Sequence, residues 1–386
     1  MFKDLKRDTE FIFKKLLPWL PRFLLTIGKI NRMRMPVEGY LQTFVQNKSL
    51  RDIISQHFFK NTPTFFAMSY FSLYLDYFYP KGGVGKISKA MEEKIFQWGG
   101  EIKTETKIVE VDTDKHLLKD EENITYEYNN LIWAADLKTL YRIVRTENLL
   151  PKNKKKFELT KKHISKSRGG DSVFSLFIEV DEPLESFKKI SNGHLFYTPS
   201  KQGLGEIHRG DLQNLLKNFE KLSRKEIYLW LEKFTKLNTY EISIPGLKDS
   251  DMVPTGKTGL IISLLAEYDL FKKIQEAGWL DEFVLEFEKQ ILDVISNSIF
   301  PMLNTKIIKQ FSFTPLNIEN RVGSSEGGIT GWAFERDMPV VNKLQMSSTS
   351  VLTPIPNIYQ AGQWAYSPAG VPMSILTGKI AADKVV

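Results

Sequence analysis

Residues 357 to 386 read NIYQAGQWAYSPAGVPMSILTGKIAADKVV, and their pattern decides how the rest of the chain is read. Ile358, Tyr359 and Ala361 suit a short buried strand that stops at Gly362. The aromatic loop Gln363-Trp364-Ala365-Tyr366-Ser367-Pro368 follows. Ala369 and Gly370 then open a helix with Pro372 in its first turn, where a missing N–H costs nothing. Ile375, Leu376, Ile380, Ala381 and Val385 recur at helical spacing, which predicts an apolar face with Ile375 in the core. The helix starts on a residue without a side chain, so it presents free N–H groups and a positive partial charge. That end suits a ligand with an electron-rich edge. An ordinary strand–turn–helix unit closing a domain has the same pattern.

A second block with the same character lies far upstream. Tyr79-Pro80-Lys81-Gly82-Gly83-Val84-Gly85 leads into a helix over 86–98, which ends at Gly99-Gly100, a favourable C-cap. The glycines at 82–85 have neither the Walker spacing nor a Gly-x-Gly-x-x-Gly pattern, so Gly82 and Gly83 are expected to make a tight helix-entry turn. A strand over 107–111, a hairpin over 115–128 turning at Asp120-Glu121-Glu122-Asn123, and a strand over 130–136 complete the block. Both blocks carry a short apolar strand with no partner nearby in sequence. Residues 79–136 and 357–386 are therefore expected to meet in space, with Ile132 and Ile358 in one domain.

Together the two blocks resemble the FAD-dependent oxidoreductases related to phytoene desaturase, carotenoid isomerase and retinol saturase, within the amine-oxidase superfamily. That family has a Tyr-Pro-x-Gly-Gly step, a helix, Gly-Gly, a strand, a hairpin and a strand ending near Ala-Asp. It closes with a strand, a Gly turn, a Gly-Val-Pro-like step and a helix bearing Ser-Gly-x-x-Ala-Ala. The matching residues are Tyr79 to Gly83, Gly99-Gly100, Ile108, Ala134-Ala135-Asp136, Tyr359 to Trp364, Gly370-Val371-Pro372 and Thr377 to Ala382. The resemblance implies FAD as cofactor, with Ile108, Ala134, Ala135, Gly362, Gln363, Gly370, Val371 and Pro372 around it. The closing segment would carry the flavin end of that site.

The remainder is read as a substrate domain. Residues 1–60 are helical, with a dense apolar series broken by Pro18 and Pro21. Packed helices are the simple reading, and a basic amphipathic element on a membrane surface is the sharper one. A helix starts at Ser49, where Ser49-Leu50-Arg51-Asp52 resembles a cap. Residues 64–79 are apolar and aromatic almost all round, which places that helix in the core or along an apolar pocket. Phe65, Phe66, Tyr70, Tyr74, Trp332 and Trp364 are the candidates for lining a substrate tunnel. The basic run 152–168 reads as a solvated loop or, failing that, a headgroup-binding edge. Strands are expected at 173–178, 240–244 and 260–265, a long helix at 279–299, and a glycine-rich loop at 323–332. The domain division that follows is a helical part at 1–78, FAD-domain segments at 79–136 and 330–386, and a substrate domain at 137–329.

Composition bounds the alternatives. The 386 residues are 42% hydrophobic and 26% charged, ordinary values for a globular protein large enough for two domains. The net charge of +7 is spread along a Lys-rich chain without an Arg–aromatic stripe, so nucleic acid is not the expected partner, and an anionic membrane surface suits it as well. The chain has no cysteine, which excludes disulfides, thiolate metal sites and dithiol chemistry. Its five histidines show no metal-ligand spacing. No run has the length of a membrane-spanning helix and no secretory leader is legible, so a cytoplasmic location, with peripheral membrane contact as an extension, is the expectation.

A site of this family begins with a strand, a Gly-x-Gly-x-x-Gly turn and a helix that receives the pyrophosphate. Residues 1–78 contain no such pattern. The expected architecture is therefore a two-domain α/β flavoprotein-like fold, with an incomplete Rossmann-like FAD domain and a mixed-sheet plus helical substrate domain. A polyene or other extended apolar molecule is the substrate the resemblance implies, for desaturation, saturation or isomerisation. The chain alone is expected to hold FAD weakly or not at all. Three further readings stay open: a split enzyme whose strand–Gly–helix unit lies on a separate chain, a non-catalytic remnant or docking subunit, and an amine- or porphyrinogen-oxidase-like enzyme, which Trp364 and Tyr366 suit. No catalytic acid or base is legible, and no metal site is expected.

Overall fold

The computed structural model describes residues 17–73, 78–147, 149–205 and 210–386. The tunnel candidate Tyr74 lies outside the described residues. The helices used below are α1 (Leu17–Arg32), α2 (Lys48–Ser55), α3 (Thr64–Leu73), α4 (Gly85–Gln97), α5 (Leu137–Ile143), α6 (Pro151–Lys166), α7 (Arg224–Leu237), α8 (Tyr268–Glu276), α9 (Leu280–Ser296) and α10 (Val371–Val385). The strands are β1 (Ile108–Asp112), β2 (Leu117–Asp120), β3 (Thr125–Glu127), β4 (Leu131–Trp133), β5 (Val144–Arg145), β6 (Ser172–Val180), β7 (His194–Tyr197), β8 (Tyr240–Ser243), β9 (Thr258–Ala266), β10 (Ile307–Phe313) and β11 (Ile358–Gln360).

The largest sheet has the order β10-β6-β9-β8-β7 and is antiparallel throughout. β6 and β9 pair along their whole lengths, from Ser172 opposite Ala266 to Val180 opposite Thr258. Both alternate strictly between buried and half-buried residues, because successive side chains leave a strand on opposite faces. The inner rows, Phe174-Leu176-Ile178-Val180 and Leu260-Ile262-Leu264, pack against the apolar faces of α7, α8 and α9. Phe174 and Phe287 stack at 4.4 Å in this core.

The two blocks singled out in the sequence meet in space. β11 pairs with β4 in parallel, Ile358 opposite Leu131 and Tyr359 opposite Ile132. A third sheet, β3-β2-β1-β5, packs beside this pair. The shared second core contains Val111, Trp133, Leu137, Tyr141, Phe157, Ile358 and Trp364. The hairpin turns where expected. Asp120 is buried there, and its carboxylate accepts from the N–H groups of Glu122 and Ile124 at 3.0 and 2.8 Å.

Several local expectations are corrected. α1 runs through Pro21. Pro21 is its fifth residue, so the one backbone bond it forfeits lies in the first turn, to Leu17 O. α2 is capped by Asn47, whose side chain accepts from the Leu50 N–H at 3.0 Å, rather than from Ser49. The basic stretch at 152–168 is mostly helix, not loop. Pro151 is pre-set for the first turn, and Phe157 and Ile164, seven residues apart, anchor α6 in the second core. Ile375 and Leu376 of α10 face outward, Ile375 at 49% exposure. The helix docks instead by its small residues: Ala381 packs with Val351 and Ala361, and Thr377 is fully buried.

α4 ends as its glycines predict. Gly99 has φ +78° and the Gly100 N–H donates to Ile95 O at 2.9 Å. Val84, Ile87, Met91 and Ile95 form a stripe at helical spacing next to and along α4, and all four are exposed. No helix among the described residues is long and apolar enough to cross a membrane.

Candidate functional site

The parallel pairing of β4 and β11 positions the candidate site. Parallel strands end on the same side, so Ala134-Ala135 and Gly362-Gln363 emerge together at their carboxyl ends, the usual position for ligands in open α/β sheets. The ladder continues as the Ala361 N–H donates to Trp133 O at 2.9 Å. Gly362 then turns the chain with φ +81°. A Cβ there would stand 3.1 Å from Ala134 O, so both conformation and space call for glycine. The Gly362 N–H donates to Thr377 Oγ1 at 3.0 Å, which pins α10 against the turn.

α10 begins without a side-chain cap at Gly370. Its first intrahelical bond runs from the Ser374 N–H to Gly370 O at 2.9 Å. The N–H groups of Val371 and Met373 precede that bond, and Pro372 has none to offer. Gly370 itself is extended, with φ 163°, a conformation open to any residue. A Cβ there would meet only Pro372 Cδ, at 3.9 Å. Neither the backbone nor the chain's own packing accounts for this glycine.

Seven of the eight sequence-derived cofactor positions fall at this turn or at the start of α10: Ala134, Ala135, Gly362, Gln363, Gly370, Val371 and Pro372. Ala134, Ala135, Val371 and Pro372 are exposed. Ile108 stands apart on β1 and packs on the second core. Of the tunnel candidates, Trp332 and Trp364 are buried, at 1% and 3% exposure, rather than lining a channel. Their rings cross at 90° with centroids 4.8 Å apart, and Trp332 Nε1 donates to Trp364 O at 2.9 Å. Phe66 meets Phe334 at 6.3 Å, while Tyr70 joins His57, Phe58 and Phe196. Phe65 lines a cleft beside Ser367-Pro368, the end of the aromatic loop.

Polar contacts that the sequence did not reveal hold the glycine-rich loop against the turn. Asp136 is buried; its Oδ1 accepts from the Thr139 N–H at 2.8 Å, capping α5, and its Oδ2 accepts from the Ser325 N–H at 2.9 Å. An Asp directly before a helix is the sequence signal for the cap, and nothing in the sequence signals the contact with Ser325. Glu326, at φ +54°, pairs with Lys138 and accepts from the Gly169 N–H. Beyond that loop lies an acidic cleft bordered by Asp171, Glu267 and Arg168. Asp171 accepts from the Lys60 N–H at 2.7 Å. Burial pushes its carboxyl up to about 6, against that hydrogen bond and with help from the Glu267 charge. Arg168 is fully engaged by Asp269 at 2.6 Å and Glu267 at 2.7 Å.

No protein-family model matches this chain. An all-trans-retinol 13,14-reductase from Danio rerio is 24% identical over 387 residues, covering 90% of this chain and 59% of the relative. A 4,4'-diaponeurosporene oxygenase from Staphylococcus haemolyticus is 22% identical over 312 residues, covering 80% and 54%. The chain thus spans somewhat over half the length of these relatives. Among solved structures, a putrescine oxidase variant superposes with a TM-score of 0.56 at 13% identity, covering 98% of this chain and 76% of that one. An oxidoreductase from Methanosarcina mazei gives 0.54 at 13% identity, covering 94% and 71%. The chain shares the α/β fold of these two oxidoreductases.

Proposed function

We propose that this chain supplies the substrate domain and the flavin end of the FAD site of an oxidoreductase acting on a polyene or other extended apolar molecule. The observation that carries the reading is the turn at the carboxyl ends of β4 and β11, with the uncapped start of α10 beside it. The Val371 and Met373 N–H groups would face the electron-rich edge of the ring. Gly362, Gln363, Ala134 and Ala135 would border it, and Gly370 would leave room for close approach. FAD, when bound, supplies the electron-pair acceptor or donor. The protein's own residues orient the substrate, keep water out and set the local charge.

The cofactor side needs a further strand. The far edge of β4 has no partner strand among the described residues. Parallel strands are stable in sheets covered on both faces, and two three-residue strands do not make one. The stripe of Val84, Ile87, Met91 and Ile95 is a second exposed apolar surface. A strand–Gly–helix unit laid on the β4 edge would complete the sheet and bring the pyrophosphate-binding helix end. The names of the relatives, a retinol reductase and a carotenoid-type oxygenase, support the substrate class. Trp19, Leu20, Leu24 and Leu25 on α1 are exposed, which supports peripheral contact with a membrane where apolar substrates dissolve. The test is the absorption spectrum of the chain purified with and without such a unit. Oxidised-flavin bands that depend on it support the reading; their absence in both samples contradicts it.

A further inference from the structure

The cleft beside Ser367-Pro368 has one apolar wall and one cationic corner. Phe65 and Phe334 form the wall, and Phe66 and Phe59 extend it through ring contacts with Phe334 at 6.3 and 6.2 Å. Arg34 and Arg336 border the other side. Arg34 Nη2 donates to Asn342 O at 3.2 Å. Its Nε–H is shut off from water and has no acceptor among the described residues. Neither arginine makes an ion pair among those residues, whereas Arg168 in the neighbouring acidic cleft is neutralised by two carboxylates. Glu335 lines the same cleft, leaving it one net positive charge. The cleft adjoins the closing turn: Val341 bridges to Tyr366, the Ser367 N–H donates to Val341 O at 3.1 Å, and the Arg34 charge reaches the Tyr366 hydroxyl.

We propose that this cleft binds an apolar chain ending in a carboxylate, with the acid on Arg34 and the chain along Phe65 and Phe334. A guanidinium offers neighbouring N–H groups in the geometry of a carboxylate, and neither Arg34 nor Arg336 is paired with one among the described residues. An aromatic wall accepts the flat face of a conjugated chain. A neutral ester would leave the two guanidinium charges without a counter-ion, so the acid is selected over its ester. The proposal deepens the reading of an extended apolar substrate and rests on it for calling the ligand a substrate.

The probe is cis-parinaric acid, a fluorescent conjugated fatty acid, compared with its methyl ester at neutral pH and low salt. The acid is expected to bind about tenfold more tightly than the ester. Arg34→Met should abolish that preference and Arg34→Lys should retain part of it. Glu335→Gln should enlarge it by removing the opposing charge. Should Arg34→Met fail to fold, Arg336→Gln is read in its place, with a weakened preference expected. Equal binding of acid and ester, no binding of either, or an undiminished preference in the arginine variants would overturn the proposal. Flavin enters none of these measurements. A protein that prefers the acid yet takes no flavin with a docked unit contradicts the oxidoreductase reading and leaves the site standing. One that takes flavin but binds acid and ester alike sinks this proposal alone.

Discussion

The two cores of this chain are built to different standards of completeness. Around β6 and β9, nine-residue strands pair end to end, and their inner rows are covered by three helices. Around β4 and β11, three-residue strands pair in parallel, one edge of β4 is open, and α4 buries none of its residues. The first core satisfies itself. The second has a parallel ladder, a glycine turn and an uncapped helix start but only part of the surface needed to stabilise them.

Core deletions break the comparison most strongly. Phe287→Ala, in the larger core at 2% exposure, should cost about 3–5 kcal/mol in urea unfolding, because the packed surroundings cannot collapse onto the void. Ile358→Ala in the second core should cost less, about 2–3 kcal/mol, since a thinly covered pair relaxes more easily. Equal losses would show that the second core is as fully packed as the first.

Asp136→Ala comes next. It strips one carboxylate from two N–H groups, those of Thr139 and Ser325, and so uncouples α5 from the glycine-rich loop. A loss of about 1–3 kcal/mol is expected. Asp136→Asn, which keeps one acceptor, should recover part of it in the same thermal melt.

Two titrating groups oppose one another in one pH window. Burial pulls His57 down to about 4, from an unfolded value of 6.5, against the Glu241 charge. Its contribution to stability is present above pH 6.5 and is lost as pH falls through about 4. Asp171 is raised from 3.8 to about 6, so its contribution is present below 3.8 and is lost as pH rises through about 6. Each has a slope of at most about 1.4 kcal/mol per pH unit, and their signs are opposite. Asp171→Asn, which can still accept from Lys60, should therefore lose more melting temperature between pH 6.5 and 4 than the unmodified protein. Parallel profiles would remove Asp171 from this account.

The smallest effect belongs to Ile375→Ala. The side chain is half exposed, so the change should stay within about 0.5 kcal/mol. A core-sized loss would restore the apolar face that periodicity alone predicts for α10.

What was legible in the sequence was local or repeated. The closing strand, its glycine turn and the glycine C-cap of α4 follow from residue type at fixed positions, and the β6 and β9 strands follow from composition. That the strands carrying Ile132 and Ile358 meet was legible because two short apolar strands each lacked a neighbour. The rest depended on tertiary context. Only the fold places Ser325 over Asp136, brings Arg34 to Asn342, or turns Ile375 outward because Thr377 and Ala381 fit the close approach to Gly362. The two buried tryptophans show the same limit: an aromatic near a predicted site reads alike whether it lines a channel or fills a core. The α6 helix was missed because its lysines outweigh the two apolar residues that anchor it.

The central claim is that the turn at Gly362 and the start of α10 form the flavin end of a cofactor site. The most direct measurement is flavin bound per chain, by absorbance after denaturation, when the chain is purified with a docked strand–Gly–helix unit. The unmodified chain should hold close to one flavin. Gly370→Leu should hold almost none while melting at nearly the same temperature, since nothing of the protein itself but Pro372 lies within reach of a Cβ there. Undiminished flavin in Gly370→Leu would contradict the account and leave the turn a structural cap.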